Sequence, residues 1–286
     1  MHRVVLKHIP LNAPDRFPGL EQKVHRVLFG LFVLHWALVW ARLWLPLPQL
    51  GNARWPDGLM LFWAAATTLA SLRCRLPGQN VLLAFVIVLI VAGGIHSLGV
   101  LTAMPFGPFT YTDRIGQLLF YPLPWAVPLI WLVAILNARD VGRLVLRPWR
   151  QARAYGFWLL GVAALLVVLF DFGLEPYAAC VKHCWVWKPT RIPSDWYTAP
   201  WVNFLGCGMT ALLILVFLTP ALLRKKPVKP PPPDFYPLLI WLLLNGLFVT
   251  GLAVGRLWAA VVVVAGHSVT VTVLAVSGAW KRERTG

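Results

Sequence analysis

Runs of roughly 20 almost uncharged, apolar residues recur along this chain, and as a helix a run of that length crosses the hydrocarbon core of a bilayer. They fall near 27–47, 57–72, 81–104, 115–137, 155–174, 201–223, 235–253 and 257–279. Hydrophobic residues make up 59% of the 286 and charged residues 13%. Soluble domains hold roughly 45–50% and 25%, and a globule of this size has too little interior to hide the excess. The expected fold is an all-α, polytopic membrane bundle of about eight transmembrane helices. The count drops to seven if the short second run, which opens at Asp57, does not span.

The basic residues give this bundle an orientation. They gather before the first run, at Arg73 and Arg75, between Arg139 and Arg153, between Arg224 and Lys229, and at the C-terminus. With the N-terminus cytoplasmic, all these clusters fall on the inner side, as the positive-inside rule requires of an even number of spans. Both termini are then cytoplasmic. The chain divides into a cytoplasmic N-terminal segment (1–26), a single transmembrane domain (27–280) and a basic tail (281–286). The polar opening stretch is not patterned as a cleaved signal. Prolines 230–233 make the connector 224–234 a stiff polar spacer. The net charge of +16 could suggest nucleic acid. No nucleic-acid-reading motif accompanies it, and clusters between apolar runs suit membrane lipid headgroups instead.

Polar side chains are costly in lipid, so those within or beside the runs carry information. They are His35, His96, Asp171, Glu175, Asn203, Asn245 and His267. A lone intramembrane His or Asn ordinarily bonds a neighbouring helix. Asp171 and Glu175 differ because four residues separate them, which puts both carboxyls on one helix face. Two acids so placed repel each other at the edge of a low-dielectric region, so one of them keeping its proton for donation is the functional reading. A solvated helix end before Pro176 is the bland one.

Two loops on the same side are aromatic. One carries Trp185, Trp187, Trp196, Tyr197 and Trp201; the other runs from Met104 to Thr112 and includes Phe106 and Tyr111. Interfacial belts account for some of these rings. A lining for a polyene, or for a carbocation held against π faces, accounts for them equally. The 104–112 loop reads as a lid or re-entrant segment packed against protein. Cys180, His183 and Cys184 form an incomplete zinc set. Phosphate loops, dinucleotide fingerprints and Ser/His/Asp nucleophile motifs are absent from the sequence. Neither a metal nor a cofactor is expected.

The run Ser97-Leu-Gly-Val-Leu-Thr-Ala-Met-Pro-Phe-Gly-Pro-Phe-Thr-Tyr-Thr112, followed by Gly116, Pro124, Pro128 and Trp131, resembles the signature of integral-membrane carotenoid biosynthesis proteins. This is the family of the CruF-type carotenoid 1,2-hydratases. A second block agrees: Asp171, Glu175-Pro176, Trp185-Val-Trp187, Tyr197, Pro200 and Asn203-Phe-Leu-Gly206. The resemblance implies a hydro-lyase adding water across the terminal C1–C2 double bond of an acyclic carotenoid end, of the lycopene or γ-carotene type. With the spacing of the acids, it points to Asp171 and Glu175 as catalytic residues, and His96 is the third catalytic candidate. Trp185, Trp187, Tyr111, Phe106, Tyr197, Asn203 and Trp131 would bind substrate. The implied partners are a lipophilic carotenoid, membrane lipid and other carotenoid pathway enzymes, and the location is the cell membrane.

The chain departs from that pattern at three places. His96 stands where the family carries Glu, Ala103 where it carries Gly, and Cys207 where an aromatic follows Gly206. An imidazolium at His96 could serve as the acid, or His96 could tune Glu175 by hydrogen bonding. Two other readings compete. One is an intramembrane oxygenase or desaturase with iron held by His35, His96, His183 and His267; the other is a non-catalytic carotenoid-binding membrane protein.

Overall fold

The computed structural model describes residues 18–45, 55–189, 194–222 and 232–280. The basic tail 281–286 and most of the Pro-rich connector lie outside these residues. Eight long helices account for most of what is described: α1 (Pro18–Ala41), α2 (Trp55–Arg73), α3 (Gly78–Thr102), α4 (Ala126–Val145), α5 (Tyr155–Pro176), α6 (Trp201–Leu222), α7 (Tyr236–Val254) and α8 (Trp258–Trp280). The fold is all-α, as the apolar runs require. Among the described residues six helices are long and apolar enough to cross a bilayer: all but α2 and α4. Large apolar side chains stand exposed along the outer faces of α3 (Ile90), α6 (Leu205 and Met209) and α8 (Val262 and Val269). Lipid is the solvent that accommodates such faces, and the molecule is a multi-pass membrane protein.

α4 misses the apolar criterion because its surroundings are protein. It packs against α2, α3, α5, α7 and α8, and Asn137 and Asp140 are buried on it. Asn137 Nδ2 donates to Thr68 Oγ1 of α2 at 2.9 Å. One turn on, Asp140 pairs with Arg75, Arg139 and Arg143. A central helix can hold polar groups that a lipid-facing helix cannot, provided each finds a partner.

Two helices are displaced from the sequence expectation: α1 from 27–47 and α4 from 115–137. α1 begins at Pro18, so the expected N-terminal segment is partly helical. The fourth run begins at Ala126 instead of 115, because residues 109–124 form strands and turns. Gly116, at φ +108, and Pro122 and Pro124 break the helical pattern there.

Three short antiparallel ribbons cap one end of the bundle. β1 (Phe109–Tyr111) pairs with β4 (Trp185–Trp187). β2 (Leu118–Phe120) pairs with β3 (Leu123–Pro124), and β5 (Ser194–Trp196) with β6 (Ala199–Pro200). This end holds the C-termini of α3 and α5, whereas Arg75, Arg139 and Arg143 gather at the other.

The 105–107 part of the 104–112 loop is packed against helices, as the lid or re-entrant reading expects. A Cβ on Gly99 of α3 would come within 2.8 Å of Phe106 Cδ2, and one on Gly206 of α6 within 2.8 Å of the Pro105 carbonyl oxygen. Phe106 is accordingly 1% exposed. Gly251 of α7 admits the Tyr177 ring in the same way.

Candidate active site

α5 delivers Asp171 and Glu175 to the capped end, one helical turn apart and both buried. Pro176 follows with no N–H to give, so the carbonyl of Phe172 loses its helical donor. Trp196 Nε1 takes that place at 3.0 Å. A single π turn, Tyr177–Val181, then redirects the chain into β4.

The β1–β4 ribbon closes over the two acids. Its register sets Phe109 opposite Trp187 and Tyr111 opposite Trp185. Strand side chains alternate between faces, so these four rings share one face, while Thr110 and Val186 take the other. Main-chain bonds lengthen the pairing at both ends: Thr112 N to Cys184 O at 3.0 Å and Lys188 N to Pro108 O at 2.9 Å.

The pocket beneath the ribbon has a volume of about 60 Å³, room for a few waters. His96, Asp171 and Glu175 all line it. So do Phe106, Tyr111, Trp131, Trp185, Trp187 and Asn203. The sequence reading also named Tyr197, which lies elsewhere: its hydroxyl accepts the Ala260 N–H at 3.0 Å at the start of α8.

The pocket's hydrogen bonds are specific. Trp185 Nε1 donates to Glu175 Oε1 at 2.8 Å, and Trp187 Nε1 donates to the same oxygen. Asn203 Nδ2 donates to Asp171 Oδ2 at 3.0 Å. Trp131 Nε1 donates to His96 Nε2 at 2.6 Å, and His96 Nδ1 meets the Tyr111 hydroxyl at 2.8 Å.

An indole N–H can only donate, so His96 Nε2 accepts and the ring proton lies on Nδ1, toward the Tyr111 oxygen. An imidazolium would set two N–H groups against each other at Trp131. Both ring nitrogens are engaged, and neither reaches Glu175. The expectation that His96 bonds Glu175 is therefore not met; His96 ties α3 to α4 and to β1. Burial, with Glu175 and Cys207 adding to it, pushes the Tyr111 phenol well above its ordinary value, so it stays a hydroxyl.

Sequence reasoning missed several walls of the pocket, among them Phe109, Phe170, Leu174 and Cys207. Phe109 was legible as the alternating partner of Tyr111 in Phe-Thr-Tyr. Phe170 and Leu174 follow from the helical face that carries Asp171. Cys207 stands one turn beyond Asn203, where its small thiol leaves space for the pocket.

The four histidines weighed as iron ligands are on α1, α3, the loop before β4, and α8. Among the described residues no three His, Cys, Asp or Glu side chains gather so as to hold a metal ion.

The family model described as "Carotenoid biosynthesis protein" matches residues 58–273. A bisanhydrobacterioruberin hydratase from Haloarcula japonica is 30% identical over 138 residues, which are 47% of this chain and 44% of that protein. The match thus spans less than half of that relative's length. No solved structure matches.

Proposed function

Because the chain belongs to the carotenoid biosynthesis protein family, we propose that it hydrates the terminal C1–C2 double bond of an acyclic carotenoid end. One observation carries the reading: two buried carboxyls, a helical turn apart, line a pocket walled by Phe106, Phe109, Tyr111, Trp185 and Trp187. The Haloarcula japonica relative is named a hydratase, which supports the same chemistry.

The reaction needs one acid protonated and one ionised, and two like charges in a closed apolar space favour that division. Glu175 is the donor. Its Oε1 already accepts two indole N–H groups, which leaves Oε2 to carry the proton. Transfer of that proton to C2 uses the π pair of the double bond and leaves a tertiary cation at C1. The surrounding ring faces stabilise the cation, each by about 0.5–2 kcal/mol. Water then bonds C1 through oxygen and gives its proton to Asp171, which Asn203 holds in place. Return of that proton to Glu175 restores the site, and no redox cofactor enters the balance.

Phe106, Tyr111, Trp131, Trp185, Trp187 and Asn203 shape the substrate subsite, and His96 positions Tyr111 and Trp131. Tyr197 anchors the cap from outside the pocket. In this reading both termini are cytoplasmic, the site faces the opposite side of the cell membrane, and neighbouring pathway enzymes supply the carotenoid. In a lycopene- or γ-carotene-producing host, Glu175→Gln should abolish the alcohol while pigment still co-purifies. An alcohol formed at the wild-type rate would overturn the assignment.

A further inference from the structure

A second cavity of about 570 Å³ adjoins the reaction pocket. The two share Ile130, Phe170, Leu174 and Trp185 as walls. Its mouth is charged, lined by Arg42, Asp57, Arg114 and Lys182, with Lys182 Nζ bonded to Asp57 Oδ1 at 2.9 Å. Its floor is apolar, formed by Leu244, Leu247 and Phe248 of α7. Tyr177 also lines it, 6% exposed, and among the described residues its hydroxyl has no hydrogen-bond partner.

We propose that this cavity is a water-filled antechamber, which holds the nucleophilic water and passes it to the reaction pocket beside Trp185 and Leu174. The proposal rests on the hydration reading above. Three observations meet in it. A buried hydroxyl without a protein partner needs water, because leaving it bare costs about 1–3 kcal/mol. The ionised mouth keeps the entrance hydrated, and the volume far exceeds the roughly 10–15 Å³ that one water needs. The reaction pocket is walled mainly by rings and aliphatic groups, so water must come to it from a polar compartment while the polyene comes from lipid. Trp185 faces both spaces: its N–H is fixed on Glu175 and its ring forms part of the partition.

Two measurements test this on the full-length protein in lipid nanodiscs. Pulsed hydroxyl-radical footprinting oxidises side chains that touch water. Met60 lines the cavity and is 7% exposed; Met104 is 70% exposed on the capping loop; Met209 is 66% exposed on the lipid-facing side of α6. Met60 and Tyr177 should label at rates comparable with Met104, and Met209 should stay unlabelled. Labelling of Met60 and Tyr177 as slow as that of Met209 would mean a dry cavity and overturn the proposal.

The second measurement fills the space. Met60→Trp and Leu244→Trp should lower kcat about tenfold or more with bound pigment unchanged. Wild-type kcat in both filled variants would overturn the supply role. A protein that labels at Met60 and Tyr177 yet makes no alcohol would refute the hydration reading and leave the aqueous cavity standing.

Discussion

Trp185 Nε1 donates to Glu175 Oε1 at 2.8 Å across the turn that separates β4 from α5. This bond, doubled by the one from Trp187, fixes the carboxyl and joins the aromatic lid to the acid beneath it. Trp185→Phe keeps a ring in the lid and removes one donor. The expected result is a loss of about tenfold to a hundredfold in kcat, as for one misaligned acid, with pigment binding retained. Steady-state hydration rates beside pigment stoichiometry check it.

Glu175→Gln removes the proton donor without changing the side chain's shape. General acid groups contribute about 100- to 10,000-fold, and the loss should fall in that range. Asp171→Asn keeps the contact to Asn203 as a side-chain amide pair but loses the base, so it should lower kcat more than it changes KM. Product assays on both variants, normalised to bound carotenoid, provide the test.

Ala103 occupies the left-handed region at φ 64, where it ends α3. A residue with a Cβ there costs about 1 kcal/mol relative to glycine. Ala103→Gly, the residue the resemblance expects, should therefore stabilise the cap slightly and raise the thermal midpoint with activity unchanged. Gly206→Ala should act in the opposite sense. Its new Cβ would lie 2.8 Å from the Pro105 carbonyl oxygen, which is backbone and yields little, so a loss of about 1–3 kcal/mol is expected. Thermal unfolding in detergent compares the two.

Asp140 lies at the end of the bundle away from the pocket and pairs with three arginines. Asp140→Asn should destabilise the protein by up to about 3 kcal/mol while the folded fraction keeps its specific activity. A selective loss of activity with unchanged stability would place an unrecognised role at that end.

Burial, with Asp57 adding to it and Lys182 and Arg114 opposing, lifts the Cys184 thiol to about 11. Thiolate is the reactive form. Below that value the thiolate fraction grows with pH, so site-resolved alkylation of Cys184 should climb steadily from pH 7 to 10. A plateau near 9 would contradict the burial.

The helices were legible because lipid imposes length and apolarity on the six described ones that can cross it, and because α3 and α6–α8 fill their runs almost without exception. The acids were legible for the reverse reason: Asp171 and Glu175 stand out in an apolar stretch. The β1–β4 ribbon was not, since α4 and α5 lie between Phe109 and Trp187 in the sequence and no local pattern encodes that register. Nor was the late start of α4, where short strands occupy residues that are apolar enough to pass for a span. Tyr197 shares the aromatic character of the pocket residues, and only its hydrogen bond to Ala260 separates a cap anchor from a lining ring.

The most direct measurement is mass spectrometry of pigment from cells that make lycopene or γ-carotene, with and without this chain, grown in heavy-oxygen water. The account predicts a tertiary alcohol heavier than its precursor by one water, its oxygen drawn from the labelled water, and no such product from Glu175→Gln. Oxygen drawn from O₂, or a desaturated product in place of the alcohol, would contradict it.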